Sequence, residues 1–136
     1  MSNLSAFLHP VETKAEKEII ISDRFQNEDG TPAAFKIRAL SQAENDAIIK
    51  QCRRTRKVNG QVQEYQDATE ISRRIMVAAT VFPDFSSNDM CEAYGTLNPL
   101  EVPTLMLYSG EYARLMTAIM ELSGFEDGTE EEEAKN

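Results

Sequence analysis

The chain has 136 residues, of which 41% are apolar and 27% charged, with a net charge of −9, the profile of one globular domain able to bury a core without staples. No run approaches the ~18 consecutive apolar residues of a membrane span, and residues 1–9 lack a basic stretch ahead of an apolar one, so no secretory signal is expected and the protein is assigned to the cytoplasm. Six acids and one base leave −5 on residues 126–136, and an acidic surface repels nucleic acid and anionic membranes.

Residues 1–15 carry no sustained periodicity and include Pro10, which predicts a flexible N-terminal arm ahead of a domain over residues 16–125. Ile19, Ile20 and Ile21 are β-branched and read as a strand. Asp29-Gly30 marks a turn. Phe35, Ile37 and Ala39 then alternate with Lys36 and Arg38, the period of a half-buried strand. The two runs predict a β-hairpin. Ser41 with Glu44 three residues on is a capping box, so a helix should start near Gln42. Asn59-Gly60, between Val58 and Val62, marks a loop or small hairpin.

Asp67 with Glu70 repeats the cap, and Ile71, Ile75, Ala78 and Phe82 define the core face of the helix that follows, which Pro83 should end. Ser86 or Ser87 caps a short helix that stops at Gly95. Asn98-Pro99 starts another, and Pro103 makes it short or bent. The last helix runs from about Gly110 to Ser123, with Tyr112, Leu115, Met116, Ile119 and Leu122 at helical spacing. Gly124 ends it, with Phe125 packing back. A disordered acidic tail should follow over 126–136. The expected fold is α+β and mainly α: an N-terminal β-hairpin followed by a bundle of four to five short helices.

Catalytic constellations are not legible. The single histidine, His9, stands in the arm beside Pro10 and reads as a solvated side chain. No glycine-rich phosphate loop follows a strand, and no His or Cys pair has metal spacing, so neither cofactor nor metal is expected. Cys52 and Cys91 read as reduced, largely buried side chains. The chain is read as a non-enzyme.

Two constellations remain. Lys50, Arg53, Arg54 and Lys57 fall at i, i+3, i+4 and i+7, a single stripe if the first helix continues that far. The stripe could bind phosphate or an acidic partner, hold the acidic tail in a salt-sensitive way, or simply offset the helix macrodipole, which is the simplest reading. The second is methionine-rich. Met76, Met90, Met106, Met116 and Met120 share the helical half with Leu105, Leu107 and Tyr108. Flexible, polarizable Met suits surfaces that accept many apolar shapes, although each one alone is more often a core gap-filler. The final helix is apolar over more than one stripe, which suits a partner helix. The partner face is assigned to Met106, Leu107, Tyr112, Leu115, Met116 and Met120.

Arg38-Ala39-Leu40-Ser41, Pro83-Asp84-Phe85, Ala93-Tyr94-Gly95, Asn98-Pro99 and Leu122-Ser123-Gly124-Phe125 occur in this order. The pattern resembles the XkdN-like tail assembly chaperones of phages and defective prophages, from about Ile19 to Asn136. It departs from the family at Pro103 and at Tyr108-Ser109. The resemblance implies a non-enzymatic chaperone. Such a protein binds the long, helical tape measure protein and keeps it soluble in the host cytoplasm while the tail tube protein polymerises round it. It is absent from the mature virion. The family also implies a longer product made by ribosomal frameshift, a further partner beside the tail tube protein, and Ala134-Lys135-Asn136 is compatible with an A-AAA-AAC slippery heptamer. The competing readings are a virion structural protein such as a head–tail connector, and a small nucleic-acid-binding regulator resting on the basic stripe.

Overall fold

The computed structural model describes residues 3–11 and 14–125; the expected acidic tail lies outside the described residues. The elements are α1 (Ser5–Leu8), β1 (Glu16–Ile19), β2 (Phe35–Arg38), α2 (Gln42–Gln51), β3 (Arg53–Val58), β4 (Gln61–Gln66), α3 (Ala68–Ala79), β5 (Thr80–Phe82), α4 (Asn88–Ala93), a 3-10 turn (Pro99–Glu101), α5 (Val102–Met106) and α6 (Ser109–Leu122). The class is α+β, with more strand than expected. One sheet has the order β1-β2-β5 and a second consists of β3 and β4 alone.

Local hydrogen bonding sets the helix starts. The Ser41 hydroxyl accepts from Glu44 N at 3.2 Å while the Glu44 carboxylate accepts from Ser41 N at 3.2 Å, a complete capping box. Asp67 accepts from Glu70 N to open α3, and Ser87 accepts from Met90 N to open α4. Asn98 caps the 3-10 turn with Pro99 behind it. Pro103 lies in the first turn of α5, where its missing N–H costs nothing, so it starts a helix rather than bending one. At the far end Gly124 takes φ 99, and Phe125 N donates to Met120 O at 3.0 Å, closing α6. The Phe125 side chain does not pack back fully; it is 58% exposed.

The N-terminal pairing is antiparallel as expected, Glu16 facing Arg38 and Ile19 facing Phe35, but its boundaries differ. The first strand covers Glu16–Ile19, so Ile20 and Ile21 fall outside it. Residues 20–34 are not a tight turn. They turn locally at Asp29-Gly30, with Gly30 N donating to Asn27 O at 2.9 Å. They also send Ile21 into the core and Arg24 across to α6.

The predicted helix over Ile71 to Phe82 stops at Ala79, short of Pro83. Thr80–Phe82 instead pairs with β2 as a third strand, leaving Phe82 64% exposed rather than on the core face. The basic helical stripe is not there either. Helix α2 ends at Gln51, Cys52 caps it, and Arg53–Val58 is a strand. Asn59 (φ 52) and Gly60 (φ 80) form the two-residue turn to β4, a left-handed pair matching the twist of a tight hairpin.

The core is one cluster under the helices. Ile37, Cys52, Met76, Phe85, Val102, Leu115 and Ile119 are fully buried, joined by Phe35, Ile48, Ile75 and Ala79. Both cysteines are free, and burial pushes the Cys52 thiol up from its ordinary pKa. No helix among the described residues is long and apolar enough to cross a membrane.

Candidate partner-binding surface

Helix α6 carries two apolar stripes with different fates. Leu115, Ala118, Ile119 and Leu122 follow i, i+3, i+4, i+7 spacing and face the core; the first three are buried. Tyr112, Met116 and Met120, spaced by four, form the second stripe along its flank, and all three are half-buried. Tyr112 and Met116 pack one edge against the core and leave the other to water.

Each end of this stripe opens into a depression. At its N-terminal end a groove of about 540 Å³ is walled by Ala68, Thr69, Ser72 and Arg73 of α3 and by Thr104, Leu107, Ser109 and Tyr112. At its C-terminal end a smaller hollow of about 210 Å³ is lined by Leu40, Ser41, Ile75, Met120 and Phe125, among others. The stripe residues that line them, Tyr112 and Met120, stand about 12 Å apart along α6, with Met116 midway.

The six residues assigned to the partner face therefore divide. Tyr112, Met116 and Met120 line the flank, Leu107 is 9% exposed at the floor of the larger groove, and Met106 is half-buried where α5 ends. Leu115 is sealed in the core and offers no surface; it anchors the helix beneath the stripe. Exposed apolar side chains adjoin the groove in sequence: Leu105 is 56% and Tyr108 67% exposed.

An ion pair that no local pattern foretells braces the same end of α6. Glu111, 2% exposed, accepts from Arg24 Nε at 2.9 Å, from Arg24 Nη2 at 2.5 Å and from Tyr108 N at 2.7 Å. Arg24 also donates to Met106 O and lies 3.9 Å from the Tyr108 ring centroid. Its hydrogen bonds hold the Glu111 carboxyl down at about 2 against the opposing effect of burial. The α5–α6 joint, and with it the groove wall, is thus held by a residue from the loop before β2.

The basic residues of the expected stripe are dispersed. Lys50 lies in the last turn of α2; Arg53 and Lys57 project from one face of β3 and Arg54 from the other. Arg54 is committed to Glu70, at 2.6 Å, and Arg74 approaches the same carboxylate at 3.6 Å. The Cys52 thiol and these two cations keep Glu70 below the usual carboxylate range. The arrangement that ties α2, β3 and α3 together is structural. Among the described residues no group of His, Cys, Asp and Glu could hold a metal ion.

Comparison with known proteins identifies the fold's kin. The family model described as phage XkdN-like tail assembly chaperone protein matches residues 4–135. The chain belongs to the XkdN-like tail assembly chaperones. It is 34% identical to the phage-like element PBSX protein XkdN of Bacillus subtilis (strain 168), over 98% of this chain and 94% of that one. It is 35% identical to YqbN, an uncharacterized protein of the same organism, over 98% and 93%. The crystal structure of YqbN superposes with a TM-score of 0.73 at 28% identity, covering 93% of this chain and 99% of that one. Because the match spans both the helical body and the strands, the α6 flank and its two depressions are part of an XkdN-like domain rather than an added segment. The α3 wall of the groove, Thr69, Ser72 and Arg73, was invisible to sequence reasoning because its residues are polar and carry no periodic signal.

Proposed function

We propose that this XkdN-like chaperone holds helical, apolar segments of the tape measure protein along the flank of α6, keeping that partner soluble while the tail tube forms. Met106, Leu107, Tyr112, Met116 and Met120 make the contact. The chain performs no reaction. It acts in the host cytoplasm and leaves the assembly before the virion is complete. The observation that carries this reading is the half-buried Tyr112-Met116-Met120 stripe running between two open depressions in a domain of the tail assembly chaperone family. Four-residue spacing suits one helix laid against another, and Met can repack around successive segments of a long guest.

Co-expression with the tape measure protein tests it. Met116→Glu with Met120→Glu is expected to send that protein to the insoluble fraction while far-UV circular dichroism of the variant stays unchanged. A double variant that still co-purifies with soluble tape measure protein moves the contact elsewhere. Finding the chain in purified particles by mass spectrometry would favour a structural role in the virion. A frameshift at this heptamer requires an Ala134 codon ending in A, an AAA codon for Lys135 and AAC for Asn136.

A further inference from the structure

The β3–β4 hairpin is the positive limb of a negative protein. Residues 53–66 hold Arg53, Arg54, Arg56 and Lys57 against the single acid Glu64, a net charge of +3 on a chain of −9. Every residue of the ribbon except Arg54 is exposed. Arg54 has its carboxylate partner in Glu70. Among the described residues no carboxylate lies within ion-pair distance of Arg53, Arg56 or Lys57. Arg56 rests over the Tyr65 ring of β4 at 4.8 Å, leaning across the ribbon. The sheet is two-stranded, so among the described residues the outer edge of β3 pairs with nothing. An open edge flanked by cations on both faces is a template for an acidic strand, backbone to backbone and charge to charge.

We propose that the outer edge of β3 docks an extended acidic peptide, and that its resting occupant is this chain's own Glu130 to Glu133. Four successive glutamates in an extended segment alternate between faces, two on each. Paired beside the near end of β3, the pair on the Arg53 face meets Arg53, with Lys50 close by at the end of α2. The chain leaves the described body at Phe125, in the hollow beside Ser41 and Gln42 at the start of α2. The hairpin rises from the other end of that ten-residue helix, about 15 Å away. Glu130 to Glu133 lie five to eight residues beyond Phe125, a reach of up to ~17–28 Å. That covers Lys50, Arg53 and the first half of β3. Docked in this way, the tail competes with any acidic partner for the hairpin. The rival physical account is that the cations only guard an open edge against association.

The test uses the full chain and the variant Glu130→Gln, Glu131→Gln, Glu132→Gln, Glu133→Gln, compared by 15N NMR and amide exchange at about 20 mM and about 500 mM salt, bracketing strong and weak screening. Expected at low salt are displaced β3 resonances in the native chain relative to the variant. Exchange of the β3 amides facing away from β4 should be at least about fivefold slower in the native chain. Both differences should vanish at high salt and be unchanged on dilution. Lys50→Glu with Arg53→Glu should abolish them with the body resonances intact. Coincident spectra and exchange at low salt overturn the proposal in favour of edge protection. Differences that fade on dilution place the tail on a second copy and overturn docking within one chain. Coincident spectra that respond only to added duplex DNA would make the hairpin a nucleic-acid element, which also overturns it.

Discussion

The Arg24–Glu111 pair offers the sharpest test of how this fold is held. Glu111 is 2% exposed and accepts three hydrogen bonds, two of them from a guanidinium. Its carboxyl falls from 4.5 to about 2 in the folded chain. At about 1.4 kcal/mol per pH unit, that drop is worth ~3–4 kcal/mol between protonation states. Part of this is lost to solvent, because the Arg24 side chain is 35% exposed. Glu111→Gln keeps the shape and one acceptor but removes the charge, and should destabilise the domain at neutral pH by about 2–3 kcal/mol, or roughly 6–12 °C in Tm. The sign of the pH dependence follows from linkage. A carboxyl whose folded pKa is depressed stabilises the fold above its unfolded value and loses that contribution as pH falls through the folded one. The native chain's advantage over the variant should therefore be full above about pH 4.5 and fade toward pH 2. Urea unfolding followed by circular dichroism across that range measures both. A variant within about 0.5 kcal/mol of native at pH 7, or a gap that stays constant down to pH 2, would refute the reasoning, since a surface pair of no net value behaves that way.

Leu115→Ala empties a fully buried site and should cost about 2–5 kcal/mol, whereas Met116→Ala, half-exposed beside it, should cost clearly less; chemical denaturation of both separates anchor from flank. Ser41→Ala removes the hydroxyl half of a complete capping box and should cost about 1 kcal/mol by the same measurement. Gly124→Ala places a side chain at φ 99; a loss of about 1 kcal/mol is expected from backbone strain alone, because the space around it is open. Glu44, held at about 2 chiefly by its hydrogen bonds from Arg38, should give Glu44→Gln the same shrinking penalty between pH 4.5 and 2 as Glu111→Gln.

Much of the helical scaffold was legible because its signals are local. Ser41 with Glu44, Asp67 with Glu70, Ser87, Asn98-Pro99 and Gly124 each act through atoms within a few residues, so reading them needs no knowledge of the rest of the chain. The split between the two α6 stripes was half legible. Periodicity marked both as apolar, but which one faces the core depends on where α3 and the β1-β2-β5 sheet stand, and Leu115 was assigned outward on that account. The cations from Lys50 to Lys57 misled because their spacing imitates a helix. The competing signal was the Asn59-Gly60 turn between Val58 and Val62, and it prevailed because a two-residue turn permits six matched pairs along Arg53–Val58.

By itself, then, the order of residues determined the class of fold, where most helices begin, the last helix's end and its two greasy faces, and the family to which the chain belongs. Only the tertiary structure decided that Thr80–Phe82 leaves its helix, that Leu115 is sealed inward while Tyr112 stays half-buried on the flank, and that Arg24 clasps Glu111 from 87 residues away. Capping and turn formation are settled by neighbours along the chain; strand pairing, burial and a distant ion pair take their free energy from groups that meet only once the chain has folded.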